Sequence, residues 1–314
     1  MPWRSAATKA LSAAFSRALT SPLSGSLPRE DRPVKILTTI DEMRSASRTA
    51  RRESKRLGFV PTMGALHEGH LSLVRAARSC CNAAAASIFV NPAQFGPNED
   101  LAKYPRSFEH DRELLEREGV DFLFAPTVEE MYPAGAVTWV VVEDLSGKLD
   151  GRSRPAHFRG VTTVVAKLFH IVEPDAAFFG QKDAAQVAII RRMVRDLNLP
   201  VEIVACSTVR EADGLAMSSR NAYLDPRQRQ QALLLHRSLM RVKQLAEAGE
   251  RSVAKLLAAA RDEFAQEKSV RLDYLEIVNP ETLDPLEEIS TGALVAVAAY
   301  VGTTRLIDNI VLGR

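Results

Sequence analysis

The chain has 314 residues, of which 46% are hydrophobic and 25% charged, a composition ordinary for a globular enzyme and long enough for one large domain or two modest ones. Its 41 basic and 39 acidic residues leave a formal net charge of +2. This nearly balanced charge does not indicate binding to nucleic acid or to a membrane surface. No continuous apolar stretch approaches the length that spans a bilayer.

The first 33 residues differ in composition from the rest. No acidic residue precedes Glu30, and Leu11, Phe15 and Leu19 are spaced as on one face of a helix. This composition suits a transit peptide, which would make the location organellar, but we favour a disordered low-complexity extension or a start codon placed too far upstream. In either case residues 1–33 are left out of the fold.

From Val34 onward, short apolar runs alternate with amphipathic stretches. The apolar runs predict strands at 57–60, 84–90, 120–124, 139–142, 176–179 and 201–206. The amphipathic stretches predict helices at 67–81, 108–118, 161–171 and 184–197. Strands buried on both faces and separated by helices indicate an α/β protein with a doubly wound, mostly parallel, Rossmann-like sheet. Ligands of such sheets bind beyond the carboxyl ends of the strands.

The pattern changes after about Arg210. A charged helix is predicted at 227–248, capped by Asp225 and Pro226, and a second helix at 252–267. LDYLEIVNP, ALVAVAAYVG and TRLIDNIVL then predict three strands. We therefore expect a larger nucleotide-binding domain at 34–208 and a smaller C-terminal α+β lid domain at 209–314.

Cysteine usage indicates a reducing compartment. Cys80, Cys81 and Cys206 are odd in number and two of them are adjacent, so the sequence predicts no disulfide framework. We interpret the three thiols as small buried hydrophobic groups and expect a cytoplasmic location.

Two histidines follow the first predicted strand of the core. His67 and His70 are three residues apart at the start of a helix, with Gly64 and Gly69 beside them to allow a close approach to the backbone. Free N–H groups and the helix dipole favour an anion there, so this site predicts phosphate binding. A zinc site is disfavoured because the second histidine falls one residue short of the metalloprotease spacing, and no protein-held metal is expected. Either histidine alone could merely fill a helix start.

A second polar stretch follows the strand that ends at Val90. Asn91 and Gln94 carry no charge and can both donate and accept hydrogen bonds, which suits a hydroxylated organic acid. The alternative is a loop whose amides cap the local backbone.

The third stretch carries basic residues on both sides of a predicted helix. Arg152, Arg154, His157 and Arg159 precede that helix and could orient an anion, or could form a solvated face. Further on, Gly180 turns the chain and Lys182 and Asp183 begin the next helix, with Gln186 one turn further in. Lys182 can follow bound phosphates as a mobile charge, whereas Asp183 can cap the helix or accept from a ribose hydroxyl.

The fourth stretch follows a turn at Asp213-Gly214. Met217 precedes Ser218, Ser219 and Arg220, and two hydroxyl groups beside an arginine suit phosphate recognition. The alternative for these residues is an ordinary serine-rich helix cap.

These stretches resemble one known family. HEGH is similar to the HxGH signature of the nucleotidyltransferase superfamily, and PTMGALHEGH resembles its more specific form in the pantothenate synthetase family. FVNPAQFGPNEDLAKYPR resembles the pantoate loop of that family, and MSSR falls at its counterpart of the KMSKS loop. The resemblance spans Val34 to about Leu312, including RLIDN. The family pattern G-E/K-K-D-aromatic-Q-Q is not fully kept: this chain has Gln181 at its second position and Ala184-Ala185 in place of the aromatic residue and the first glutamine. The sequence does not determine how the region around the pantoate pocket packs without these two side chains.

The resemblance implies a two-step ligase reaction. Pantoate would be adenylated by ATP with Mg²⁺, and β-alanine would then displace AMP from pantoyl adenylate to give pantothenate, in an enzyme that is typically a homodimer. The implied catalytic residues are His70, His67, Lys182, Ser218, Ser219 and Arg220. Gln94 and Gln186 would bind pantoate, Gln94 would also bind β-alanine, and Tyr104 would border the site. ATP would contact Met63, Gly64, Ala65, Leu66, His67, Glu68, Gly69, His70, Gly180, Gln181, Lys182, Asp183, Val209, Met217, Ser218, Ser219 and Arg220.

Two other classes stay open at this point. One is a nucleotidyltransferase that joins a nucleotide to a phosphorylated alcohol without an amine. The other is a regulatory module that binds ATP without turnover, which only the Ala184-Ala185 departure favours.

Overall fold

The structure is a computed structural model that describes residues 33–97, 99–289 and 292–313. The extension expected at 1–33 therefore lies almost wholly outside the described residues. The larger of two sheets has six parallel strands in the order β1-β4-β3-β2-β5-β6. Its strands are β1 (Lys35–Leu37), β2 (Leu57–Thr62), β3 (Ala83–Ile88), β4 (Phe122–Phe124), β5 (Ala176–Gly180) and β6 (Glu202–Cys206).

The described part of the chain contains nine α-helices. They are α1 (Ile40–Arg52), α2 (Glu68–Cys80), α3 (Phe108–Arg117), α4 (Val128–Met131), α5 (Asp150–Ser153), α6 (His157–Val172), α7 (Ala184–Asp196), α8 (Pro226–Glu247) and α9 (Val253–Ala265). Short 3₁₀ turns lie at Pro92–Gln94, Asp100–Ala102, Leu145–Gly147, Gln181–Asp183 and Ser219–Tyr223.

The large sheet is covered by helices on both faces. Phe59 and Val60 are adjacent in β2 and, because side chains alternate along a strand, pack into two different cores. One core holds residues of α1, α6 and α7, and the other holds residues of α2 and α3. This confirms the doubly wound α/β fold and explains why the strands are apolar without alternation.

A smaller antiparallel sheet follows, with strand order β7-β8-β9: β7 (Val270–Val278), β8 (Leu294–Val301) and β9 (Thr304–Val311). Helices α8 and α9 cover it through a separate apolar core that includes Leu239, Leu256 and Val297. Asp225 accepts from the backbone of Gln228 and so caps α8, as its Asp-Pro start predicts. The expected C-terminal α+β part is therefore present, while the boundary near Thr208 stays a prediction.

One predicted strand is wrong. Residues 139–142 are extended but belong to no strand. The hydroxyl of Thr162 on α6 donates to the carbonyl of Val140, and the Val140 N–H donates to the hydroxyl of Thr163. Side chains of α6 thus provide hydrogen-bond partners for a backbone segment whose apolar sequence alone predicts a strand. Strand β1 and helix α1 were not predicted.

Cysteine burial differs from expectation at one position. Cys81 is buried and Cys206 half-buried, but Cys80 is exposed, and all three thiols are free. Within the described ranges, no helix combines the length and apolar character that crossing a membrane requires.

Candidate active site

A pocket opens at the carboxyl ends of β2, β3, β5 and β6, where the four polar stretches meet. Most of the predicted site residues line it: Met63, His67, Gly69, His70, Gln94, Gly180, Lys182, Asp183, Gln186, Val209, Met217, Ser218, Ser219 and Arg220. Helix α6 supplies an apolar wall of Val161, Val164, Val165 and Leu168. Convergent polar groups beside an apolar wall are the usual composition of a small-molecule site.

Five of the residues assigned to ATP lie outside this lining. Gly64, Ala65 and Leu66 form the turn behind the histidines, Glu68 pairs with Arg75 at the surface, and Gln181 contacts Asn309. Contact with ATP stays a prediction both for these five positions and for the residues that line the pocket.

A buried carboxylate holds the turn that precedes α2. Asp111 on α3 is 1% exposed and accepts from the backbone N–H groups of Ala65 at 2.8 Å and Leu66 at 2.9 Å. Gly64 has a φ of +82°, and a Cβ there would lie 3.0 Å from Oδ2 of Asp111. Nothing in the sequence singles out Asp111, because an acidic residue in the first turn of a helix is commonplace.

Backbone amides fix the tautomers of the two histidines. The Gly69 N–H donates to Nδ1 of His67 at 3.1 Å, and the His67 N–H donates to Nδ1 of His70 at 3.4 Å. Since each Nδ1 is an acceptor, the proton of each neutral ring lies on Nε2. The ring centroids are 4.2 Å apart, so the site has two neighbouring N–H donors.

Both imidazoles are neutral at physiological pH. Burial lowers the pKa of His70 to about 3, and the neighbouring His67 and Lys182 add to the effect. The pKa of His67 is also lowered, first by burial and then by the charge of Lys182. These rings are hydrogen-bond donors rather than titrating bases near pH 7.

The charge of the pocket favours an anion. Its described lining contains three cationic side chains, Arg154, Lys182 and Arg220, and one carboxylate, Asp183, and of the three cations Arg154 is already paired with Glu99. Lys182 and Asp183 lie on the 3₁₀ turn that ends β5. Asp183 makes no side-chain cap of α7, so the helix-cap alternative for this residue is wrong and its carboxylate faces the pocket.

Residues 209–220 double back before they reach the pocket. Arg210 and Ala216 form an antiparallel bridge, and the Met217 N–H donates to the Val209 carbonyl at 3.0 Å. The Ser218 hydroxyl accepts from the Arg220 N–H at 3.3 Å and so caps the short helix Ser219–Tyr223. The cap alternative is thus present at Ser218, although the same segment also lines the pocket.

The side chain of Gln94 is held from two sides. Asn91 Nδ2 donates to Gln94 Oε1 at 3.1 Å and to the Gly160 carbonyl at 3.1 Å, while Gln94 Nε2 lies 3.0 Å from Sδ of Met63. The Tyr132 hydroxyl donates to Oδ1 of Asn91 at 2.8 Å. Asn91 is therefore a buried support for Gln94; it also caps its own turn by accepting from the Ala93 N–H at 3.3 Å, as the local-capping alternative predicts, and it lines the pocket as well.

The basic cluster just before α6 and on its first turn has mostly structural contacts. Arg152 pairs with Glu276, Arg159 stacks on Trp139, and Arg154 pairs with Glu99. Of these, only Arg154 lines the pocket together with His157. The interpretation of the whole cluster as an anion site is wrong, because the two outer arginines are engaged elsewhere.

His157 is a site residue whose function the sequence does not reveal. Its Nδ1 lies 2.9 Å from the Gln94 carbonyl and so donates to it, which leaves Nε2 to accept from Arg154 at 3.0 Å. Burial, aided by the charge of Arg154, lowers its pKa to about 4. The neutral ring ties the backbone of Gln94 to α6.

Ala184 and Ala185, where the sequence departs from the family pattern, lie behind the pocket. Both alanines are buried in the core beside α6, whereas Gln186 of the same helix lines the pocket. The missing aromatic and amide side chains therefore change core packing more than the polar lining. In the described part of the chain, no cluster of three His, Cys, Asp or Glu residues could hold a metal ion.

Comparisons with known proteins give matches over most of the chain. Residues 35–311 match the family model of pantoate-beta-alanine ligase. A pantothenate synthetase of Koribacter versatilis is 63% identical over 279 residues, which cover 89% of this chain and 96% of that protein. The crystal structure of pantothenate synthetase from Thermus thermophilus has a TM-score of 0.85 and 48% identity, covering 90% of this chain and 100% of the other. A pantoate-beta-alanine ligase from Francisella tularensis, complexed with beta-gamma ATP and beta-alanine, has a TM-score of 0.69 and 31% identity, covering 88% and 97%.

Proposed function

The chain belongs to the pantoate-beta-alanine ligase family, and on that premise we propose how its pocket condenses pantoate with β-alanine at the expense of ATP. In the first step a pantoate carboxylate oxygen attacks the α-phosphorus of ATP, pyrophosphate leaves, and pantoyl adenylate forms. In the second step the free amine of β-alanine attacks the acyl carbon, AMP leaves, and pantothenate is released. The observation that carries the proposal is the convergence of two imidazole donors, a lysine and a Ser-Ser-Arg segment beside two glutamines.

In this proposal the phosphates of ATP lie beside the two histidines, Lys182 and Arg220. His67 and His70 donate from Nε2, and Lys182 and Arg220 neutralise the negative charge that grows on the leaving pyrophosphate. Preorganised donors of this kind contribute about 10²–10³-fold each to the rate. Ser218 and Ser219 add hydroxyl donors, and the backbone around Val209 and Met217 borders the adenine.

Pantoate lies against the amides. Gln94 and Gln186 both line the pocket and together can bind its hydroxyl groups and orient its carboxylate. The apolar wall of α6, including Val161 and Val164, accommodates its methyl groups. β-Alanine approaches beside Gln94, near Tyr104, which also lines the pocket. The ATP and beta-alanine named for the Francisella tularensis relative support this pairing of substrates.

No side chain needs to act as a nucleophile. Holding a carboxylate and a phosphate at attack distance can lower a barrier by about 7–11 kcal/mol. Burial raises the pKa of the Cys206 thiol to about 11, and the pKa of the Cys81 thiol is shifted in the same direction, so neither is a thiolate at physiological pH. Mg²⁺ enters bound to the phosphates of ATP and is part of that substrate.

The test is pyrophosphate release with ATP, Mg²⁺ and pantoate, measured with and without β-alanine. The ligase predicts pyrophosphate and pantoyl adenylate without the amine, and AMP and pantothenate with it. A nucleotidyltransferase would instead give a product that keeps its nucleotide when β-alanine is present. An ATP-binding regulatory module would release no pyrophosphate, and either result overturns the proposal.

We also propose that the chain is a cytoplasmic homodimer. The extended segment 137–142 leaves Val137 83%, Trp139 42% and Val141 50% exposed, an apolar edge that a second copy of the chain can cover. The three free thiols support a reducing compartment. Sedimentation of the wild type and of Val141→Arg tests the dimer: the wild type should sediment as a dimer and the variant as a monomer, whereas a monomeric wild type excludes it.

A further inference from the structure

Strand β9 of the small sheet contacts the turn that carries Lys182. Asn309 is 4% exposed, and its Nδ2 donates to the carbonyls of Gln181 at 2.9 Å and Lys182 at 2.8 Å. The side chain of Gln181 returns a hydrogen bond to Oδ1 of Asn309 at 3.3 Å. One amide thus fixes two consecutive peptide groups, including the one from which the Lys182 side chain starts.

The preceding residue of β9 holds the other phosphate-facing segment. Asp308 is 4% exposed and forms a two-pronged ion pair with Arg210, at 2.7 and 2.9 Å. Arg210 also donates to the Gly214 carbonyl at 3.0 Å, which closes the loop leading to Ser218 and Arg220. A planar guanidinium matched to a carboxylate is a geometrically specific contact.

Two adjacent side chains therefore anchor two separate parts of the pocket. The turn of Lys182 follows β5 and the loop of Arg210 follows β6, so each could shift along its own strand end without changing the core. Both face the phosphates in the proposed function, and a change in their spacing would change the distance between Lys182 and Arg220. Neither Asp308 nor Asn309 lines the pocket in the described chain, so they act through other residues.

We propose that Asp308 and Asn309 are positioning residues that hold the segments of Lys182 and Arg210–Arg220 in register for binding the ATP phosphates, an inference that rests on the proposed function. Their direct effect is on nucleotide affinity and on the adenylation step. Binding of pantoate, which depends on Gln94 and Gln186, does not require them.

The primary test replaces Asn309 by an uncharged side chain of similar shape. Asn309→Leu removes both donated hydrogen bonds and is expected to weaken the affinity for a nonhydrolysable ATP analogue about tenfold. Asn309→Asp, which places a carboxylate against two carbonyl oxygens, should weaken it further. Asn279→Asp is the matched control, because Asn279 after the end of β7 uses its side-chain oxygen to accept from Glu281 and Thr282. That control should bind the analogue as the wild type does.

A double-mutant cycle separates positioning from a general structural role. If Asn309 acts through Lys182, Asn309→Leu should change analogue affinity by less than about twofold in a Lys182→Ala background. The KM for pantoate should also stay within about twofold of wild type. An equal loss in both backgrounds, or a parallel rise in the KM for pantoate, overturns the inference.

A second variant covers the case in which Asn309→Leu does not fold. Arg210→Lys keeps the positive charge beside Asp308 but loses the two-pronged geometry, and it should raise the KM for ATP severalfold with little change in that for pantoate. An unchanged KM for ATP contradicts the inference.

The failure of this inference can be distinguished from the failure of the proposed function, because calorimetry measures binding of the analogue without turnover. A wild type that binds the analogue but releases no pyrophosphate contradicts only the proposed reaction. A wild type that binds no analogue overturns both.

Discussion

His67 and His70 act as donors because backbone amides occupy their Nδ1 atoms. Their neutral rings carry the proton on Nε2, and burial keeps the pKa of His70 near 3. Burying a neutral donor avoids the free-energy cost of removing a charge from water. The donor is also present over the whole physiological pH range. In the proposed function, the charge on the phosphates is balanced by Lys182 and Arg220, whose positive charges do not depend on these rings.

The first prediction concerns His70. His70→Ala should reduce the rate of pyrophosphate release with pantoate by about 10²–10³-fold, because one preorganised donor is lost. His70→Gln places an amide N–H near the position of Nε2 and should recover part of that rate, whereas His70→Asn places it near Nδ1 and should not. Rapid-quench measurement of the first step checks the series. Near-normal turnover of His70→Ala would show that the phosphate site has been misassigned.

Individual site residues were predictable where a short motif carries them. The HxGH spacing and the Lys182-Asp183 pair were found from sequence because each follows a strand end, whereas the Ser-Ser-Arg segment was identified only through the family resemblance. Asp111 and His157 were not assigned their roles, because each acts on a backbone group that is 45 and 63 positions away along the chain. A contact of that kind exists only after the helices pack, and single-residue chemistry does not predict it.

At the level of elements, α6 and the 3₁₀ turn Pro92–Gln94 form a close contact that depends on Gly160. A Cβ at Gly160 would lie 2.2 Å from the Ala93 carbonyl oxygen and 2.5 Å from Cα of Gln94. Because these are backbone atoms, the turn must move away from the helix to admit a methyl group.

The second prediction follows from this contact. Gly160→Ala should raise the KM for pantoate by displacing Gln94, and overpacking should lower the free energy of unfolding by about 1–3 kcal/mol. The affinity for ATP should change less, since its proposed contacts lie in the segments that follow β2, β5 and β6. Gly147→Ala is the matched control, because a Cβ there has no neighbour within 4 Å. If both variants behave like wild type, the contact has no role in binding.

The predicted bounds of an element were most accurate where the apolar stripe of the sequence is also the face that packs into the core. Helix α7 was predicted at 184–197 and runs over Ala184–Asp196, since its apolar stripe packs into the core. Helix α6 begins one turn before the predicted 161, because His157 and Phe158 are buried by contacts that periodicity cannot show. The false strand at 139–142 has the apolar composition of a strand but pairs with hydroxyl groups of α6.

At the scale of the whole molecule, buried neutral histidines link stability to pH. Burial lowers the pKa of His157 to about 4, below the value of about 6.5 for an unfolded chain. Between these values the unfolded state binds more protons than the folded state, so this residue's contribution to stability is complete above pH 6.5 and is lost as the pH falls toward 4. His70 acts in the same direction.

The third prediction uses that linkage. Near a pH of about 5.5 the free energy of unfolding should rise with pH, and the slope for wild type should exceed that for His157→Asn by close to one proton, or about 1.4 kcal/mol per pH unit. Asparagine keeps a donor near the position of Nδ1 and does not titrate, so the Gln94 contact is preserved. Denaturant unfolding at several pH values gives both slopes. Equal slopes would mean that His157 titrates as it does in the unfolded chain.

The central claim is that ATP and pantoate lie side by side at one edge of the parallel sheet. A crystal structure of the chain grown with ATP, Mg²⁺ and pantoate, and without β-alanine, tests it most directly. We expect pantoyl adenylate in the pocket, with its phosphoryl oxygens at His67 and His70 and its acyl part between Gln94 and Gln186. Nucleotide bound at another surface, or ATP bound with the histidines turned away from its phosphates, would contradict the account.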